Sequence, residues 1–167
     1  APVVFLLGAI GACTYVDDLP YGSSLTLSKG YELRGSDGAN TVKLINPTLV
    51  EEGETFDGKG KLFVWEGIGE CNQKEGQMPM FVMRSNSTLK NLYIVNSPEG
   101  VHVDGNNVVI ENIVNLDVCE DAVSTRTSGE FVGVKIQNST FVNCSDKGLQ
   151  INKGADVLIR DNKFVNC

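Results

Sequence analysis

Glu99, the pair Glu120 and Asp121, and Asp146 recur through the second half of the chain at intervals of 22 and 26 residues, each where an apolar run bends into the next. If the chain coils with that period, these acids stack on successive rungs along one face. Carboxylates held about 5 Å apart repel one another, so such a column needs either protons or a cation among its members. Three or four converging carboxylates suit Ca²⁺, a hard cation that takes about six to eight oxygen ligands in irregular geometry. Zn²⁺ fits poorly, because the only histidine is His102 and no two cysteines have finger spacing. The residues alone leave two readings open, turn acids that face water and a calcium site. Lys147 follows directly on Asp146. By itself it is a solvated turn charge, here set beside the acid column.

The elements that would position these residues are visible in four short apolar runs beginning at Leu89, Ile110, Ile136 and Ile159, with steps of 21, 26 and 23 residues. A period of about 20–30 residues, with β-branched strands broken by Asn, Gly and Asp, is that of a solenoid. No window carries the apolar rhythm of a helix. The runs alternate instead, as in Val134, Ile136 and Phe141, or Val157, Ile159 and Phe164. A sandwich of hairpins would need tight Asn-Gly turns between the runs, and none is present. The pattern predicts an all-β fold, a right-handed parallel β-helix with one coil per repeat. The last two runs, IQNSTFVNC and IRDNKFVNC, lay Phe141 over Phe164, Asn143 over Asn166 and Cys144 over Cys167. Strands in such a stack are about 4.8 Å apart. The asparagines can therefore bond along a ladder, and the cysteines either pair or pack as thiols.

At 167 residues and 41% hydrophobic, the chain has enough apolar material for one core. A net charge of −7 excludes nucleic acid and an anionic membrane surface as natural partners. An acidic protein holds a polyanion only through a bridging cation or a local basic patch. The five cysteines leave at least one free, buried or paired between chains. Sequons at Asn86 and Asn138, and a weaker one at Asn143, point to a secreted, glycosylated protein. The apolar stretch that opens at Ala1 is too short to span a bilayer. It has no preceding basic residue, so it reads as already processed. Residues 1–40 are predicted as an N-terminal cap, with strands at Val3–Leu7, Ser24–Leu27 and Tyr31–Arg34, and residues 41–167 as the β-helix. Around FDGKG (Phe56–Gly60) a strand, a glycine turn and another strand are expected.

Five segments share an order with a known family. FDGKG is followed by Glu75-Gly76-Gln77-Met78-Pro79, then by PEGVHVDG, DVCEDAVS and DKGLQIN. These resemble polysaccharide lyase family 3, the small calcium-dependent pectate lyases, over about residues 41–152. The resemblance implies a β-helix that cleaves polygalacturonate by β-elimination. It implies Ca²⁺ held by Glu99, Glu120, Asp121 and Asp146, with Glu75 as a further ligand, and Lys147 as the basic residue that removes the C5 proton. Carboxylates beside Lys147 would raise its pKa, and a bound cation would cancel that effect. His102 lies in the matching turn, where it reads as a packing or hydrogen-bonding residue. Trp65 reads as a core or loop anchor, or as a platform for a sugar face.

Two departures stand out. The family's aspartate in the Asp-Gly-Val-His turn is Glu99 here. Family members also continue for further coils that bring a catalytic lysine or arginine, and neither Arg126 nor Arg160 matches that position. The expectation is a secreted, extracellular lyase, or a fragment of one, acting on acidic polysaccharide. The alternative is a non-catalytic β-helix that binds glycan or stacks end to end through its open last rung.

Overall fold

A computed structural model describes residues 24–27, 30–34, 40–69, 74, 76–125 and 131–167. The strand expected at Val3–Leu7 lies outside them. An antiparallel hairpin of β1 (Ser24–Thr26) and β2 (Glu32–Arg34) comes first, within a residue of the predicted strands at either end. The rest winds as coils. These are β3 (Thr41–Leu44), β4 (Thr48–Val50) and β5 (Thr55–Trp65); β6 (Pro79–Met83) and β7 (Thr88–Val95); β8 (Glu99–Val103) and β9 (Val109–Val118). They continue with β10 (Asp121–Thr125), β11 (Phe131–Val132), β12 (Lys135–Gln137) and β13 (Thr140–Cys144), and close with β14 (Lys147–Gln150), β15 (Gly154–Ala155), β16 (Leu158–Arg160) and β17 (Lys163–Val165).

Apart from the hairpin, every pairing is parallel. One sheet runs β14-β10-β8-β6-β4, and a larger one runs β16-β12-β9-β7-β5-β3 with β13 and β17 beside it. The fold is the all-β parallel β-helix that the repeat predicted. The first residues of the four runs stack in register, Leu89 on Ile110, Ile110 on Ile136 and Ile136 on Ile159. They face an interior that also buries Phe81, Met83, Val101, Val123 and Phe141 completely. Each such side chain contributes roughly 1.5–3 kcal/mol of transfer free energy.

The corners explain the asparagines. Asn86, Asn107, Gly133 and Asp156 have positive φ, as do Asn91, Asn112, Asn138 and Asp161, and Asn96, Asp117, Asn143 and Asn166. Each trio of steps repeats the 21, 26 and 23 residues of the apolar runs. A coil must turn sharply between faces, and among residues with a side chain Asn and Asp tolerate the left-handed region best. Their side chains then bond along the stack. Asn166 Nδ2 donates to Asn143 Oδ1 at 3.1 Å, Asn143 Nδ2 to Asp117 Oδ1 at 2.8 Å, and Asn112 Nδ2 to Asn91 Oδ1 at 2.7 Å.

The FDGKG segment corrects the expected strand, turn and strand. It lies inside β5 as a bulge between Asp57 and Lys61. Asp57 Oδ1 accepts from the Lys59 N–H at 2.9 Å and from Asn91 Nδ2 at 3.0 Å, which fixes the bend without breaking the strand. The outer face of β5 and β7 carries Leu62, Tyr93 and Val95, buried with Leu27 and packed by Tyr31. There the Tyr93 hydroxyl donates to the Tyr31 carbonyl at 3.1 Å.

Cys144 and Cys167 form a disulfide with their Cα atoms 4.5 Å apart, above the stacked rings of Phe141 and Phe164. Cys119 is disulfide-bonded as well. The Cys144–Cys167 bridge closes a 23-residue segment. Replacing both of these cysteines by serine is expected to lower stability by roughly 2–4 kcal/mol, read as a lower urea midpoint at unchanged slope.

Candidate active site

Three neighbouring strands of the smaller sheet begin on residues singled out in the sequence: β8 on Glu99, β10 on Asp121 and β14 on Lys147. The strands are in parallel register, with Asp121 paired to Lys147. Glu120 occupies the bend before β10, and its carbonyl accepts from the Asp146 N–H at 3.3 Å one coil on. A solenoid repeats its corner at each rung, so side chains from sequence-distant runs meet there.

Glu99, Glu120 and Asp121 are all buried, and their carboxylate oxygens lie within 4.8 Å of one another. His102 Nε2 contacts Glu99 Oε2. Lys147 Nζ contacts Asp146 and stands 3.5 Å from Asp121 Oδ1. Asp146 is exposed and stands with Lys147 rather than among the three buried acids. Glu75 lies outside the described residues. Trp65 is part of the hydrophobic core.

The environments push these groups apart. Burial raises the Asp121 carboxyl above its ordinary range, and the nearby Lys147 only partly offsets this. Burial acts in the same direction on Glu99, but there the hydrogen bonds from His102 and Glu120 prevail and the carboxyl is lowered. Lys147 is raised, first by its hydrogen bond to Asp146 and then, against partial desolvation, by the charge of Asp121. In the metal-free protein it is an ammonium that serves as counter-ion to the acids.

A testable pH dependence follows. An acid whose pKa rises on folding binds its proton more tightly when folded, so its contribution lowers stability as pH rises from the unfolded to the folded pKa. Glu99, with its lowered pKa, contributes stability that is present above the unfolded value and lost as pH falls through the folded one. In chelator, Asp121→Asn is therefore expected to remove a decline in stability across and just above the carboxylate range. At neutral pH it should also raise the melting temperature by a few degrees, about 2–4 °C per kcal/mol of relieved burial. Thermal melts of both proteins against pH check this.

The sequence reading left out the contact between His102 and Glu99. Residues three apart on a straight strand point to opposite faces. Here Gly100 and Val101 are both buried in succession, so β8 bends and returns His102 to the face of Glu99. Two inward residues in a row, repeated as Ala122 and Val123 in the next coil, are the signal that could have revealed it.

The pectate lyase family model matches residues 34–167. The chain belongs to the pectate lyase family. This agrees with the resemblance carried by the ordered motifs, whose acids and lysine are those now seen at one corner. Pectate lyase E of Emericella nidulans is 39% identical over 110 residues, which is 64% of this chain and 42% of that protein. Pectate lyase H of the same organism is 39% identical over 116 residues, or 66% of this chain and 42% of that protein. A probable pectate lyase E of Aspergillus flavus is 32% identical over 134 residues, covering 78% of this chain and 49% of its own length. The matched stretch is less than half of each of these family members.

Proposed function

We propose that this chain cleaves polygalacturonate by calcium-dependent β-elimination at the corner formed by Glu99, Glu120, Asp121 and Lys147. The observation that carries this reading is the crowding of three buried carboxylates within 4.8 Å beside one lysine. Carboxylates packed so closely and withdrawn from water are unfavourable as free anions. As hard oxygen donors in an irregular cluster they fit Ca²⁺, and Glu99, Glu120 and Asp121 would hold it. A bound Ca²⁺ there supplies a site for the uronate carboxylate and makes the adjacent C5 proton more acidic.

The remaining work falls to side chains of this chain. His102 holds the Glu99 carboxylate in place. Asp121, once engaged with a cation, ceases to stabilise the Lys147 ammonium, which leaves the amine able to accept a proton. Lys147 Nζ then takes the proton from C5, the C5 electron pair forms the C4–C5 double bond, and the bond from C4 to the leaving oxygen breaks as that oxygen takes up a proton. Glu75 and Asp146 belong to this proposal as outer acids, Glu75 as a further ligand and Asp146 as the partner that orients Lys147.

The Cys144–Cys167 disulfide and the sequons favour an extracellular setting, where the polymer is found. Among the described residues no helix is long and apolar enough to cross a membrane. Mass spectrometry of digested polygalacturonate tests the reaction type. Elimination yields oligomers with an unsaturated end, lighter by one water than the products of hydrolysis. Saturated products alone would refute a lyase.

A further inference from the structure

One interior column of the solenoid is apolar at every rung but one. Phe63 pairs in register with Ile94, Ile94 with Asn115, Asn115 with Phe141, and Phe141 with Phe164. Asn115 is fully buried. Its Nδ2 donates to the Ala122 carbonyl at 3.5 Å, and its Oδ1 has no hydrogen-bond partner. A buried amide satisfied so poorly is unfavourable where Leu or Phe would fit the column. Residues that break a local rule concentrate where function requires them.

The amide lies directly behind the acids. Ala122 follows Asp121, and Gly100 follows Glu99. A β-carbon on Gly100 would collide with the Ala122 carbonyl oxygen and lie 2.7 Å from Asn115 Nδ2. A single interior contact therefore meets the backbone of β8 and of β10, one residue past each acid. A glycine at position 100 leaves room for it. We propose that Asn115 is a positioning residue that acts from inside the coil. By holding the Ala122 carbonyl against Gly100 it sets the separation of Glu99 and Asp121, and with it the affinity of the acid cluster for a divalent cation. The proposal rests on the cation reading above. It adds to that reading a residue that never touches cation or substrate.

The test is a calorimetric titration of Ca²⁺ into the wild-type chain, Asn115→Leu, Asn115→Ala and Asp121→Asn, with the metal-free melting temperature and circular dichroism of each. Wild type is expected to bind, and Asp121→Asn to lose binding. Both Asn115 variants should bind about tenfold more weakly, the scale of an outer-shell effect. Asn115→Leu, which replaces a frustrated amide by an apolar group, should melt no lower than wild type. A folded Asn115 variant with wild-type affinity would overturn the positioning role and leave the cation site standing. Loss of the fold in both variants would also overturn it, by making Asn115 a residue of the fold itself. Absence of binding by wild type would overturn the cation reading, and this inference with it.

Discussion

Lys147→Ala is expected to lower the rate of unsaturated-product formation from polygalacturonate by roughly 10²–10⁴-fold, the usual contribution of a positioned general base. The expectation follows from the place of Lys147 at the start of β14. Its Nζ is tied to Asp146 and stands 3.5 Å from Asp121, at the edge of the only cluster of metal-ligating side chains found among the described residues. Lys147→Arg sharpens the test. Arginine keeps the charge and can bond both aspartates, but it does not deprotonate near neutral pH. A base role therefore predicts that Arg rescues little activity, whereas a purely electrostatic role predicts substantial rescue. Neither change should unfold the protein, because the side chain is 40% exposed and such pairs contribute little to stability. Initial rates under saturating polymer, together with melts, separate these outcomes.

The second large effect concerns the acids. Asp121→Asn is expected to weaken Ca²⁺ binding by on the order of a hundredfold or more, since loss of a direct ligand should meet or exceed the 10–100-fold typical of outer-shell partners. His102→Ala, which removes only the group that holds Glu99, should weaken it by about tenfold on the same scale. Stability should move the other way for Asp121→Asn. Without metal, the wild type keeps a buried, reluctantly ionised carboxyl among like charges, and the amide relieves it. A gain in melting temperature combined with a loss of cation affinity is what a site strained for function should show. A fall in both would instead mean that Asp121 holds the fold together.

Much of this molecule is legible in the sequence because a solenoid writes its geometry as a period. The steps from Leu89 to Ile110, Ile136 and Ile159 carry the strand register, and the same steps carry the corner asparagines and the acids. What stayed hidden depends on local backbone bends rather than on period. Asp57-Gly58 reads as a turn in isolation, yet the Asp57 side chain closes a bulge inside one strand. Asp146 falls in the acid column by spacing, but it lies at the outer rim of the bend and pairs with Lys147. Asn115 looked like one more polar residue among many asparagines. Only the register of its neighbours shows that it points inward, where Phe and Ile stand on the adjoining rungs.

The most direct test of the proposed chemistry is the ultraviolet absorbance of unsaturated uronate ends, followed while the chain acts on polygalacturonate in Ca²⁺ and then in excess chelator. A steady rise in Ca²⁺ that stops on chelation and resumes when Ca²⁺ is restored is the expected result. A rise that continues unchanged in chelator, or no rise in either condition, would contradict calcium-dependent elimination at this corner.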